Sequence, residues 1–308
     1  MKASDLYVLV PMSNPMRYAS RPHLMRPFLE RMKRHGVSLR FIEASFGERP
    51  HEVADPSNPE HILVRCDHPL WIKEALLNRA VLSLPPEAKY VAWIDGDIDF
   101  VNADWAVEAI HQLQHYPVVQ LFSHAVDLGP NGETMSTHKS FGYLYTEQGQ
   151  TPDKKPPAYE NMHPGYGWAW RVEAWNAVGG MIDSAICGAG DQHMAHGLVG
   201  KAALSVPQGV HPNYRKMVVD WGERAWNTIQ GDVGYVSGTI HHYFHGQKKD
   251  RGYWDRWKII RDHQFDPQVD LIWDRQGLPQ LRPGRVALKR AMEAYFRSRN
   301  EDLGVRFR

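Results

Sequence analysis

The sequence predicts an α/β protein with a mostly parallel, Rossmann-like central sheet flanked by helices, and three observations carry that expectation. The chain opens with a strand, helix, strand succession. Its most apolar strand-like run contains almost no polar residue, and that run ends directly in a cluster of acids. A chain of 308 residues, 43% hydrophobic and 23% charged, can bury one large core.

Leu6 to Pro11 is a short apolar run stopped by proline and reads as the first strand. From Pro22 to His35, Leu24, Met25, Phe28, Leu29 and Met32 recur at helical spacing, and Gly36 supplies a C-cap. Val37 to Ala44 alternates and is β-rich, the next parallel strand. A second helix is predicted from Asp67 to Leu84, with Pro69 just inside its start. Ile72, Leu76, Leu77, Ala80 and Leu84 share one face of it, and Trp71, Glu74 and Asn78 the other. Pro85-Pro86 stops it, and Tyr90 to Ile94 follows as a central strand covered on both sides. A helix over Ala103 to His115, a strand over Val118 to Phe122 and a Gly/Pro/Lys-rich loop over Gln148 to Pro157 come next.

A formal charge of +1 and a pI near 7.9 give no global field for nucleic acid or an acidic membrane. From Arg282 onward, however, eight basic residues face three acids, which reads first as a solvated tail. Cys66 and Cys187 are too few for a disulfide framework and favour a reducing compartment. The apolar run Leu6 to Val10 has no basic leader or cleavage site, so no signal peptide is expected. No apolar run approaches the roughly 20 residues of a membrane span. Cytoplasmic localisation is the expectation.

Three constellations carry chemistry. Asp95-Gly96-Asp97-Ile98-Asp99 places three carboxylates immediately beyond an apolar strand, where their mutual repulsion calls for a cation. Ligands of open α/β sheets bind beyond the carboxyl ends of the strands, and Gly96 leaves room for a phosphate or sugar. Oxygen ligands favour Mg²⁺ or Mn²⁺ over zinc. A solvated turn is the bland alternative. His163 to Arg171, with Trp168 and Trp170, then Gly179-Gly180 and Gly188-Ala189-Gly190-Asp191-Gln192-His193, alternate glycine and aromatics as sugar-binding surfaces do. Asp191 is placed to act as a general base, or else as an N-cap. In the third, Gly238 to Arg251, His242 and His245 offer imidazoles to a metal, and Lys248, Lys249 and Arg251 suit a diphosphate. A His-based zinc site competes, without a supporting Cys or His-Glu-x-x-His pattern.

On these residues the chain resembles GT-A glycosyltransferases, from Tyr7 to about Trp257, and within them a phage and bacterial branch. The resemblance implies a GT-A catalytic domain over residues 1–260, with a nucleotide-binding half (1–100) and an acceptor half (101–260), and a basic C-terminal extension over 261–308. It implies Asp95, Asp97 and His245 as ligands of Mn²⁺ or Mg²⁺, with Asp99 as helper. In galactosyltransferase-like members a Gly-Gly turn, an acidic motif, a histidine and basic residues follow in order, which Gly179-Gly180, Asp191, His245, Lys248 and Lys249 match. Here the acidic motif is Gly-Asp-Gln-His where relatives often show Glu-Asp. The donor, a UDP-sugar, would meet Pro11, Arg17, Glu43, Lys73, Asn78, Asp95, Gly96, Lys248 and Arg251. Trp168, Trp170 and His193 would bind the acceptor.

The implied reaction is inverting displacement, with Asp191 as base. Two acceptors are expected: a hydroxymethylated pyrimidine in phage DNA, met by the aromatic segment Trp168 to Trp175 and the arginine-rich end, or a glycan. A metal-dependent nucleotidyltransferase or phosphoesterase could use the same carboxylates, and a non-catalytic carbohydrate-binding protein the same tryptophans.

Overall fold

The computed structural model describes residues 1–152 and 162–307, so the loop expected over Gln148 to Pro157 lies partly outside the described residues. The chain starts with strand β1 (Leu6–Ser13), helix α1 (Ser20–Arg34) and strands β2 (Ser38–Phe46) and β3 (His61–Cys66). Helix α2 (Lys73–Val81) leads into β4 (Tyr90–Ile94), the acidic turn and β5 (Ile98–Phe100). Then come α3 (Trp105–His115), β6 (Val118–Gln120), β7 (His124–Leu128), β8 (Thr134–Lys139) and α4 (Phe141–Gln148). The second half runs β9 (Gly167–Arg171), α5 (Val172–Val178), α6 (Gly190–Leu198), α7 (Pro212–Ile229), β10 (Val233–Tyr235) and β11 (Thr239–His242). It ends with α8 (Arg256–Asp262), β12 (Leu271–Trp273), β13 (Pro279–Leu281) and α9 (Val286–Ser298).

Seven strands form the central sheet in the order β10-β6-β9-β4-β1-β2-β3, all parallel to their neighbours except β9. The fold is therefore α/β with a mostly parallel sheet. The strand pleat sorts its side chains between two cores. Leu9, Val91, Trp93, Trp168 and Trp170 face one, with residues of α2, α5, α6 and α7. Val8, Val10, Ala92, Ile94 and Ala169 face the other, with residues of α1 and α3. Burial on both faces is why β4 reads as an unbroken apolar run.

A second sheet, β5-β11-β7-β8, packs polar residues beside the first. Its register sets His242 opposite Asp127 on parallel β11 and β7, and Ile98 opposite His242 on antiparallel β5. Three expectations change here. Strand β1 continues past Pro11 to Ser13, because its ladder with β4 ends at Leu9 and Trp93 and the missing N–H is not needed there. Helix α2 begins at Lys73 rather than near Pro69, because the Trp71 amide donates to the Ile186 carbonyl at 2.8 Å. Nor is the segment after residue 260 an appended tail. Leu271, Leu278, Leu281, Leu288, Met292 and Phe296 join the same core as the tryptophans. Glu301, 1% exposed, binds Arg21 and Arg299, and Asp302 accepts from the Ala19 and Ser20 amides at the start of α1.

Candidate functional site

A cavity of about 400 Å³ opens beyond the carboxyl ends of β1 and β4. This is where strand order reverses, β1 lying between β2 and β4, so loops diverge to opposite sides and leave a crevice. Its lining includes Pro11, Lys73, Glu74, Asp95, Gly96, Asp97, Asp191, His242, His245, Lys248 and Arg251.

Asp97, His242 and His245 bring one ligand atom each within 4.8 Å of the others. Asp97 Oδ2 lies 2.9 Å from His245 Nε2 and 3.9 Å from His242 Nε2, and the two imidazole nitrogens are 3.3 Å apart. Backbone pairing brings them together: the Tyr243 amide, just past β11, donates to the Asp97 carbonyl at 2.8 Å. The tautomers follow from their other partners. His242 Nδ1 meets ionised Asp127 at 2.7 Å and must donate to it, which leaves Nε2 as the nitrogen that can carry a lone pair. His245 Nε2 lies 2.9 Å from the Arg251 guanidinium and 2.9 Å from Asp97 Oδ2, so its Nε2–H tautomer donates to Asp97 and its Nδ1–H tautomer is the one that can turn a lone pair to a cation. Burial, reinforced by the Arg251 charge, lowers His245 to about 4, leaving it neutral at physiological pH. Burial opposes ionisation of Asp97, yet the neighbouring His245, 2.9 Å away, together with His242 and Arg251 holds it well below the usual carboxylate range. Asp97 Oδ1 is buried without a hydrogen-bond partner. Two imidazole nitrogens and a carboxylate oxygen 2.9 to 3.9 Å apart are spaced as the ligands of metal bonds of about 2.1 Å are. The residues fit a divalent cation.

Asp127 supports this cluster from behind. It is 3% exposed and also receives Ser136, His138, Lys248 and, at 3.1 Å, the Tyr166 hydroxyl. Burial would raise it, but His138, His242 and Lys248 keep it ionised. A carboxylate behind a ligating histidine fixes its ring and tautomer.

Asp95 stands apart from the three. Its carboxylate is paired with Lys73 Nζ at 2.5 Å, and that ammonium lies 4.1 Å from the centre of the Trp93 ring. Asp95, expected among the ligands, is thus paired with Lys73, while the group of side chains that could hold a cation consists of Asp97, His242 and His245. Asp99 is engaged by Arg31 at 3.1 Å. Over Gly96, a Cβ would come 2.3 Å from Met25 Cε, so the glycine makes room for a side chain of α1 rather than for a ligand. Asp191 is in the first turn of α6, whose N-cap is Ala189, and is not a cap; its Oδ1 accepts from the Gln192 amide and it lines the cavity.

Several expected contacts fall elsewhere. Trp168 and Trp170 are fully buried on β9, with Trp168 Nε1 donating to the Pro164 carbonyl. No acceptor can stack on them. His193 is equally buried between Ser205 (2.7 Å) and Tyr214 (3.1 Å), and burial lowers it to about 3. Glu43 caps the amides of Glu52, Val53 and Ala54. Asn78 clamps Met181 and Asp183 against the Gly179-Gly180 turn, where Gly180 has φ +73 and a Cβ would strike Asn78 Oδ1 at 2.5 Å. Arg17, at φ 59, lines a second cavity with Arg49 and Arg297. For Trp168, His193, Glu43 and Asn78 the cause is the same: the residue type suited a ligand, and its hydrogen-bond partner is protein.

The cavity also gains residues from distant segments, including Trp71, Trp254, Arg299 and Glu301. Trp254 is 65% exposed, the open aromatic face that the buried tryptophans do not provide. Cys66 and Cys187 are both free and buried. Among the described residues no helix is long and apolar enough to cross a membrane.

No family model matches the chain, and no curated protein matches it in sequence. Solved structures give distant similarity. The catalytic domain of Drosophila β1,4-galactosyltransferase 7, complexed with xylobiose, is 14% identical, with 93% of this chain and 98% of that one covered at a TM-score of 0.39. S. aureus TarS 1–349 in complex with UDP-GlcNAc is 11% identical over 84% of this chain and 65% of that one, at 0.41. The 4-diphosphocytidyl-2C-methyl-D-erythritol synthase of Anaerococcus prevotii is 10% identical over 77% and 88%, at 0.32. Similarity at this level does not assign a reaction to this chain, and the three names describe more than one.

Proposed function

We propose that the protein is a metal-dependent GT-A-type glycosyltransferase that moves a sugar from a nucleoside-diphosphate sugar to an acceptor hydroxyl. The observation that carries this reading is the convergence of Asp97, His242 and His245 in one cavity with Asp191 and two cationic side chains. Asp97, His242 and His245 would hold the cation, which when bound supplies charge neutralisation at the diphosphate. Two imidazoles in the set disfavour Mg²⁺, which prefers oxygen ligands, and are compatible with Mn²⁺.

Asp191 takes the proton of the acceptor hydroxyl. The acceptor oxygen then bonds to the anomeric carbon, and the bond to the diphosphate oxygen breaks, its electron pair leaving with the nucleotide. Displacement from the opposite face inverts the anomeric centre, so an α-linked product from an α-linked donor would refute this step. Arg251 and Lys248, which line the same cavity, supply the positive charge that stabilises the leaving group. The Lys73–Asp95 ion pair and Pro11 line the same cavity and would meet the donor. A UDP-sugar is the donor implied by the GT-A resemblance.

A hydroxymethylated pyrimidine in DNA loses its support. Its aromatic segment is in the core, with Trp168, Trp170 and Trp175 buried, and Arg299 is spent on Glu301 inside the protein. A saccharide acceptor is favoured by the open face of Trp254 at the cavity.

The test is sugar transfer from a panel of UDP-sugars with and without Mn²⁺. Transfer should require the ion, and Asp97→Ala or His245→Ala should lower kcat/KM at least about a hundredfold. Phosphate release or nucleotidyl transfer without any sugar transfer would move the protein to the other class. Sugar binding that needs no ion and survives Asp97→Ala would make it a binding protein.

A further inference from the structure

Glu74 is a buried carboxyl in the cavity to which the reaction above gives no task. It lies on the first turn of α2, is 3% exposed and lines the cavity. Its own backbone amide donates to its carboxyl, and among the described residues no other position sends a hydrogen bond there. That carboxyl rests on α6. A Cβ at Gly190 would come within 2.3 Å of Glu74 Oε1 and 2.5 Å of its Cδ, so glycine at this position makes the room. Gly190 immediately precedes Asp191, and Glu74 therefore faces the cavity beside the proposed base.

A buried polar group with a free side toward a cavity has its hydrogen bonds available for a ligand. Burial, opposed by the Lys73 charge and reinforced by those of Asp191 and Asp95, pushes Glu74 up to about 7. Near neutrality it can donate as well as accept, as a sugar hydroxyl requires.

We propose that Glu74 is a substrate-positioning residue whose carboxyl binds a hydroxyl adjacent to the one that Asp191 deprotonates. The acceptor is then a saccharide with neighbouring hydroxyl groups and not a lone hydroxymethyl group. Two carboxyls side by side at the start of α6 grip the two oxygens on adjacent ring carbons, which orients the reacting one. This inference rests on the reading of the cavity as a sugar-transfer site with Asp191 as base.

The experiment measures kcat/KM for methyl pyranosides, for their monodeoxy analogues and for a duplex containing 5-hydroxymethylcytosine, with Mn²⁺ and UDP-sugars. Wild-type protein, Glu74→Ala and Glu74→Gln are compared. The wild type should prefer the diol over the matched deoxy acceptor by about tenfold, the worth of one buried hydrogen bond. Glu74→Ala should lose that preference, and Glu74→Gln, which keeps the shape and two polar atoms, should restore part of it. A merely structural residue would lower both rates together and leave the ratio intact, which overturns the proposal. Transfer to the hydroxymethylcytosine duplex with no dependence on Glu74 also overturns it. If the wild type transfers sugar to none of these acceptors, the functional reading itself falls, and this inference with it.

Discussion

The large sheet and the small sheet solve opposite problems. In the seven-stranded sheet β4 is sealed on both faces, Val91 and Trp93 on one side, Ala92 and Ile94 on the other, each packed into an apolar core. In the four-stranded sheet β7 and β11 bury Asp127 against His242, and the carboxylate collects His138, Ser136, Tyr166 and Lys248 as well. The first makes stability from area removed from water. The second spends part of it to hold charges in one geometry, since burying the ionised Asp127 carboxylate is costly and its donors offset that cost. A rigid apolar layer thus carries a polar layer whose side chains are fixed from behind, and the cavity lies at their junction.

Three changes test that division, in falling order of effect. Trp168→Ala removes a fully buried ring from the apolar layer and should cost about 3–5 kcal/mol of folding stability in denaturant titration. Its acceptor KM should stay within about twofold; a raised acceptor KM at unchanged stability would return Trp168 to the acceptor site. Glu74 comes next. Its folded value of about 7 lies above the 4.5 of an ordinary glutamate, so the folded chain binds the extra proton between those values. Stability is full below about pH 4.5 and falls as pH rises through 7, by on the order of 3 kcal/mol for this residue. The groups facing it are Lys73, Asp95 and Asp191. Subtracting the stability curve of Glu74→Gln from that of the wild type should expose this slope, and a flat difference would mean that Glu74 is ionised throughout. Smallest is Asp127→Asn. Losing the carboxylate behind His242 should weaken Mn²⁺ binding about 10–100-fold in calorimetric titration, with the three ligands still in place. Unchanged affinity would show that Asp127 serves only the sheet.

The same contrast explains what the sequence disclosed. The parallel architecture was legible because central strands and amphipathic helices leave local periodicities, as Tyr90 to Ile94 and Met25 to Met32 do. The acidic turn after β4 and the histidines before Lys248 were legible as chemistry, and the structure places Asp97 and His245 2.9 Å apart. Asp127 was not, because an isolated acid in Val126-Asp127-Leu128 looks like any polar strand residue until register sets it opposite His242. Glu74 read as part of a helix's polar face, since nothing local reveals that Gly190 leaves space for its carboxyl. Trp168 and Trp170 misled for the converse reason: aromatic and glycine residues serve a core as well as a sugar, and only burial separates the two. The arginine-rich end hid Glu301 and Asp302, the acids that fasten it to Arg21 and the start of α1.

The central claim, that Asp97, His242 and His245 form a metal centre at the junction of the two sheets, is tested most directly by anomalous diffraction from crystals grown with Mn²⁺ and UDP. The account predicts one manganese peak bonded to the Asp97 carboxylate and to both Nε2 atoms at about 2.1–2.3 Å. A peak held by Asp95 and Asp99, or nucleotide bound with no metal at these three residues, would contradict it.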